Sequence, residues 1–517
     1  MAPKHDGVDR EAASENTPLL ASSSIVPTQD AEVAESLVTS PNGQDHAQSA
    51  SAGSAEADND KPLDTVQIVL LCYTRVVEPI AFFSIFPYIN TMLQANTGLP
   101  ASDVGFYSGL IESLFSLTQM SVMILWGRAS DRVGRKPVLV FSLVGVSLCC
   151  GIFGLAKNLW QMILFRCLAG LFAGTIVTIR TMISELSTPK TQARSFSYFA
   201  FAGNLGILFG PLIGGALAEP ATQYPRVFGG IAFFEEYPYA LPGFAVGFVG
   251  LTGVLTTALF VKETMVKHPH DESAEGGAAS GSAKSKNSTR QLLKSPGVGI
   301  VLYVYGHVML LAMLYTAVVP VFWFTPISLG GFGFTPLQIS IFMGITGFSQ
   351  AVWLLVFFPM LQHRLGTNGV MRLCGWAYPF AMAFNVVLSI ILRSGLETTF
   401  WVAAPIFCLI APGISMAFTG AQLCLNDVSP SPQMLGTLNA LALTGISAIR
   451  SFSPASITSI YAVGVRSQIL WGYLAWLVIV IIAAGFTVVV RYLPAVSEKD
   501  YPGDSTTEDV TEDRAST

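Results

Sequence analysis

Charge is scarce in this chain. Of its 517 residues only 12% are Asp, Glu, Lys or Arg, about half the share of a soluble domain. Hydrophobic residues make up 51% and the mean hydropathy is +0.55. A soluble globular fold is excluded on those grounds. The few charges are also unevenly placed, with 12 of the 33 acids in the first 64 residues, where no apolar run occurs. The net charge of −5 therefore comes from acidic termini, and nothing points to nucleic acid. The seven cysteines (Cys72, Cys149, Cys150, Cys167, Cys374, Cys408 and Cys424) sit in or beside apolar runs without a C-x-x-C. They read as small packing residues, with no metal or redox site. No short apolar segment lies near Met1, so no secretory signal is expected and the first span acts as its own insertion signal. G-x-S-x-G, H-E-x-x-H and G-x-x-x-x-G-K-[ST] are all missing, which argues against an enzyme and against ATP-driven pumping. No cofactor is expected.

What the chain has is long apolar runs. A membrane helix needs about 20 mostly apolar residues, and twelve such stretches are read: 65–89, 103–126, 137–156, 159–181, 195–218, 238–261, 297–325, 336–360, 370–392, 398–423, 433–460 and 467–492. They are called spans 1 to 12. Residues 262–296, rich in Gly, Ser and Lys, form a flexible charged linker. The expected organisation is a disordered acidic tail (1–64), a six-helix bundle (65–261), the linker, a second six-helix bundle (297–493) and a disordered tail (494–517). With both termini in the cytosol, the inner links hold 13 Lys and Arg and the outer links hold 4, namely Lys157, Arg226, Arg393 and Arg466. That asymmetry favours both ends inside. The sequon Asn287-Ser288-Thr289 would then lie in the cytosol and stay bare.

The most informative segment is the link Gly127-Arg128-Ala129-Ser130-Asp131-Arg132-Val133-Gly134-Arg135-Lys136. A positive-inside anchor needs cations, but it needs neither the Asp nor two glycines at these offsets. The spacing G-x-x-x-D-R-x-G-R-K resembles the signature loop of the major facilitator superfamily, between its second and third spans. The resemblance implies an all-α membrane fold of twelve helices in two six-helix halves, with substrate bound between the halves. It makes Gly127, Asp131, Arg132, Gly134, Arg135 and Lys136 a gating loop. Asp131 is expected to cap or pair with a neighbouring span in the outward-open state, while Arg132 and Arg135 hold the inner gate. His363-Arg364-Leu365-Gly366-Thr367-Asn368-Gly369 looks like a decayed copy that lacks the Asp and the cations, so the gate is assigned to the first half alone.

Ionisable side chains inside a span are costly and therefore candidates for function. Six stand out: Arg75, Glu78, Glu112, Arg166, His307 and Arg450. Arg75 and Glu78 share a helix face just before Pro79. Glu78 and Glu112 reach a common depth within roughly 2 Å at 1.5 Å per residue. Facing each other, they would repel, which suits proton carriage. The alternative is that Glu78 is a permanently ionised partner of Arg75. Arg166 in Leu164-Phe165-Arg166-Cys167-Leu168-Ala169-Gly170 resembles the fourth-span motif of proton-coupled facilitators, in which the Arg promotes proton release from a nearby acid. A structural ion pair with Glu78 or Glu112 is the alternative. Proton coupling is thus assigned to Glu78, Glu112, Arg166 and Arg75.

Span 5 carries Gly206, Gly210, Pro211, Gly214 and Gly215 in the pattern G-x-x-x-G-P-x-x-G-G. It resembles the antiporter motif of the drug:proton antiporter branch. Physically it is a smooth, kinked face for a neighbour to slide against, and it favours export over uptake. The second half has no acid near the middle of its spans. There Arg450 either attracts an anionic substrate or pairs with Glu78 or Glu112. Substrate-cavity candidates are Asn204, His307, Tyr315, Gln350, Asn439 and Arg450, with Phe201 and Trp323 beside them; a carbonyl-bonded His307 is the plainer reading of that residue.

Segments 74–81 and 179–185 together with the signature loop resemble a fungal and plant subgroup, the zinc-induced-facilitator-like and tetracycline-resistance-like transporters, over about residues 65–493. Zinc does not follow as substrate, because the one loop run with ligand character, His268-Pro269-His270-Asp271-Glu272, lies in the linker. Glu15, Leu19 and Leu20 fit an acidic dileucine signal of the kind read by clathrin-type adaptor complexes, which favours the vacuolar membrane, with the plasma membrane next. The expectation is a monomeric multi-pass transporter in the lipid bilayer. It exports a small organic molecule (a drug, a metabolite or an organic anion) from the cytosol by proton antiport with alternating access. Uptake by symport or uniport, or solute sensing without transport, are the competing readings.

Overall fold

The computed structural model describes residues 64–188, 191–265, 295–429 and 432–494. The dileucine residues Glu15, Leu19 and Leu20, the linker histidines and the sequon lie outside them. Among the described residues all regular structure is helical. Ten helical segments are long and apolar enough to cross a membrane. One of them, Pro336–Arg393, runs for 58 residues, far more than the roughly 20 a bilayer needs. Its backbone breaks at Gly366, with φ +68°, inside the link expected between spans 8 and 9. The helix Pro432–Arg466, at span 11, is not among the ten. It is rich in Ser and Thr and carries Arg450 and Pro454, so its apolar signal is weak.

Two further expectations change. Span 1 does not run unbroken to 89. Its helix is Thr65–Phe83, and a second helix, Ile89–Thr97, follows a turn in which Pro87 offers no backbone N–H. Span 4 is two helices, Leu159–Phe172 and Thr175–Glu185, parted at Ala173-Gly174.

That break has a counterpart in span 10, where a 3₁₀ stretch, Ala411–Ser415, separates Glu397–Ile410 from Met416–Asp427. Each break is closed by a tryptophan from a neighbouring span. The Trp126 indole N–H donates to Leu171 O at 2.8 Å, and Trp353 donates to Leu409 O at 2.9 Å. Each ring lies against a glycine of the break: a Cβ on Gly174 would collide with Trp126, and one on Gly413 would stand 3.0 Å from Trp353. The indoles satisfy carbonyls that the broken helices leave over, as an apolar medium requires.

The residues from Val298 to Leu493 share one buried core around Trp476, Tyr461, Tyr378 and Phe322. The first half packs as three smaller clusters. Between the halves, span 11 lies along span 2 and span 8 along span 5. The closest approaches fall toward the end opposite the signature loop. A Cβ on Gly109 would meet the Thr458 side chain, and one on Gly105 would come within 3.0 Å of Val321. The Ala455 N–H donates to Ser113 Oγ at 2.9 Å, and Arg466 pairs with Asp103 at 3.9 Å.

Candidate functional site: buried charge between the halves

The break in span 4 builds the surroundings of Glu78. Thr175 is the first residue after the break, and its hydroxyl donates to Glu78 Oε2. Gln119 of span 2 donates through Nε2 to Glu78 Oε1 at 2.8 Å and to the freed Ala173 carbonyl at 3.1 Å. Arg75 Nη1 stands 3.8 Å from Glu78 Oε2. A buried carboxylate surrounded by this many donors has its hydrogen-bonding capacity met inside the protein.

Glu112 is different. It is buried at 6% exposure, yet it has no hydrogen bond or ion pair among the described residues. The charges acting on it are Arg450 first and Arg166 next. Those two arginines share one aromatic ring: Arg166 Cζ is 5.5 Å and Arg450 Cζ 4.4 Å from the centroid of Phe82. Arg166 also lies over Phe115 at 4.5 Å. Arg166 is fully buried, and its Nε and Nη2 lack hydrogen-bond partners. A cavity of about 10 Å³ beside it, lined in part by Tyr88 and Cys150, has room for about one water. Neither structural ion pair considered for Arg166 forms.

Nearer the signature loop, Arg75 and Arg180 both stand over Phe199, at 5.0 and 5.3 Å. Sequence reading missed Arg180 because it sits at the edge of span 4. It also missed Gln119 and Thr175, ordinary polar residues 41 and 97 positions from Glu78.

In the signature loop, Gly134 takes φ +120°, and a Cβ there would fall 2.8 Å from Glu263 Oε2. Glu263, just past span 6, accepts from the Arg135 and Lys136 backbone N–H groups at 2.9 and 3.0 Å. It thereby caps span 3 from a distant part of the chain. Partial burial raises its carboxyl pKa, but the N–H groups of Met265, Lys136, Arg135 and Thr264 outweigh burial and hold it below the usual range. Arg135 pairs with Asp131 and, at 3.0 Å, with Glu185, and Thr264 donates to Glu185 as well. Asp131 thus pairs within its own loop, and among the described residues the ion-pair partners of Arg135 belong to the first half. Arg132 is exposed, while Gly127 and Lys136 are half-buried.

The span 5 glycines divide their work. Gly206, Gly210 and Gly214 lie against Val76, Pro79, Ile80 and Ser84 of span 1, within the same half. Gly215 meets Pro336 and Ser340 of span 8 in the other half. Pro211 lies inside the helix Gln192–Leu217.

Of the cavity candidates, His307 follows the plainer of its two readings and not the cavity one. Its Nε2 bonds the Ile482 carbonyl at 2.9 Å, with Tyr303 and Phe486 around it, so it joins spans of the second half. Tyr315 likewise packs on Trp476 in that core, and Trp323 is buried there. Asn439 is buried and accepts from Gln422 Nε2 at 3.0 Å. Gln350 is half-buried, and Asn204 and Phe201 are exposed. Among the described residues no group of three His, Cys, Asp or Glu is placed to hold a metal.

Comparison with known proteins agrees with this architecture. The Major Facilitator Superfamily profile matches residues 71–454. The efflux pump azaK of Aspergillus niger is 46% identical over 435 residues, covering 84% of this chain and 89% of that protein. The zinc induced facilitator-like 1 protein of Arabidopsis thaliana is 27% identical over 78% of this chain and 85% of its own. Among solved structures, a D-xylose–proton symporter superposes with a TM-score of 0.62 at 13% identity, over 84% of this chain and 98% of that one, which bears on the fold alone. The chain is a membrane transporter of the major facilitator superfamily, akin to its efflux and zinc-induced-facilitator-like members.

Proposed function

We propose that the protein exports a small organic molecule from the cytosol in exchange for protons, with Glu112 as the proton carrier and Glu78 as a fixed, ionised strut. The observation that carries this is the contrast between the two carboxylates. Glu78 is saturated with donors, so losing its charge would leave those donors unmatched. Glu112 is buried with no hydrogen bond or ion pair among the described residues, and the two guanidiniums about it stand on the ring of Phe82. One of them, Arg450, belongs to the other half. When the halves rock, Arg450 moves relative to Glu112, which ties proton binding to alternating access. Export is supported by the efflux pump among the relatives and by the span 5 glycine pattern.

The dileucine Glu15, Leu19 and Leu20 supports the vacuolar membrane over the plasma membrane, with an adaptor complex as the partner that routes it there. The protein works as a monomer in this reading, with protons, the bilayer and the substrate as its other partners.

The test has two stages. Small molecules are compared in the medium and in isolated vacuoles of cells lacking and overproducing the protein. The compound that accumulates with the protein is then followed in proteoliposomes under an imposed pH gradient. Glu112→Gln should abolish pH-driven movement while keeping a monodisperse protein. A compound depleted from the medium in step with the protein would make it an importer, and undiminished pH-driven movement in the variant would remove Glu112 from the mechanism.

A further inference from the structure

The layer nearest the signature loop carries positive charge that proton coupling does not use. Arg75 and Arg180 stand on the same ring, Phe199. Arg75 has a carboxylate 3.8 Å away, but that carboxylate is already taken by Gln119 and Thr175. Arg180 has no ion pair among the described residues. Nε of both arginines and Nη1 of Arg75 are buried without a hydrogen-bond partner. Across the interface, Tyr305 lies within electrostatic reach of Arg180. Its hydroxyl donates to Gln422 Oε1 at 2.9 Å, and Gln422 in turn donates to Asn426 and Asn439. These four facing side chains are polar and uncharged.

A guanidinium inside a membrane span is costly unless it is matched by negative charge or hydrogen-bond acceptors. Two on one ring, with less than one carboxylate between them to spare, leave an unmet demand for negative charge. The planar fork of Arg matches a carboxylate or phosphate through paired N–H donors. We propose that Arg75 and Arg180, opposite Tyr305, seat the acidic group of an organic anion, a carboxylate or phosphate ester, and that this is the class of molecule the transporter carries. The inference deepens the export reading by naming its substrate class. The seat lies apart from the proton carrier: Phe82, beside the Glu112 arginines, is seven residues beyond Arg75 on the same span, roughly 10 Å. Anion and proton therefore need not compete for one set of ligands.

The test is equilibrium binding to the purified full chain in phosphatidylcholine nanodiscs, whose lipid brings no net anionic headgroup. Three probes of one shape are used: 1-naphthoate, 1-naphthalenemethanol and 1-naphthylmethylammonium. Naphthoate should bind at least tenfold more tightly than the other two. Arg180→Gln should lose tenfold or more for naphthoate with no change for the alcohol, and Arg180→Lys should keep part of the preference. Equal or tighter binding of the alcohol or the cation, no naphthoate binding up to millimolar concentration, or full naphthoate affinity in Arg180→Gln would overturn the proposal. The three-probe comparison needs no variant, so a misfolded Arg180→Gln leaves it decisive. No gradient is used, so failure of Glu112 as proton carrier and failure of the anion seat are read separately.

Discussion

Arg450 of the second half stands 4.4 Å over the ring of Phe82 in the first. Arg166 stands 5.5 Å from the same centroid, so a single phenyl ring is shared by a guanidinium of its own half and one from across the interface. Phe82→Ala would let two like charges approach through space the ring now fills. It should lower transport without changing the amount of protein in the membrane, as read by uptake into vesicles normalised to protein. Wild-type rates in Phe82→Ala would show that the ring is mere packing.

The strut role of Glu78 predicts a loss of stability rather than a loss of proton coupling alone. Glu78→Gln removes the charge that meets Arg75 and weakens the bonds from Thr175 and Gln119. Leaving buried donors poorly matched costs about 1–3 kcal/mol. The melting temperature in detergent should fall clearly below wild type, whereas Glu112→Gln, which breaks no hydrogen bond, should melt near wild type. The reverse order would exchange the two roles.

Closure at the end opposite the signature loop can be trapped. Ser113 and Ala455 touch through a 2.9 Å hydrogen bond. Cysteines at both positions, in a chain whose seven native cysteines are replaced, should crosslink and stop transport, with recovery on reduction. Transport that continues in the crosslinked protein would mean that the two helices do not separate during the cycle.

Glu263 carries a pH signature. Its carboxyl is held below the usual range in the folded chain, so its contribution to stability is present above the unfolded value of about 4.3. It is lost as pH falls through the lowered folded value. Glu263→Gln should lower the melting temperature at pH 7, and the gap to wild type should close in acid. A gap that stays constant from pH 7 to pH 3 would mean that the charge of the cap is irrelevant.

Asp131→Asn should slow turnover more than it weakens substrate binding, because the ion pair Asp131 makes is with Arg135 of its own loop. Comparison of steady-state transport with equilibrium binding checks this, and equal loss in both would count against gating.

The parts of this molecule that were legible in the sequence are those with local signatures. The signature loop, the span 5 glycines and the ionisable residues in apolar runs each announce themselves within ten residues. What was not legible depends on distant partners. Glu263 reads as an ordinary acid at the edge of a linker until the fold brings it to Gly134. Thr175 and Gln119 carry no signal of their own, and their value comes from a helix break at Ala173-Gly174 that apolar composition hides. Span 11 is the converse case, read as an apolar stretch although its Ser, Thr and Arg450 make its hydropathy weaker than that of the other spans. His307 was legible in its plainer reading, since a carbonyl one helix away accounts for it.

The twin tryptophan closures at Leu171 and Leu409 have a historical meaning. The two halves have kept the same mechanical joint, an indole clasping a broken helix, while the chemistry beside it has parted. Among the described residues, the first half alone places a carboxylate at its joint, and the full charged loop lies in that half. The chain thus pairs two matching joints with a single charged one, so the lining of the second half can differ without rebuilding the charged joint of the first.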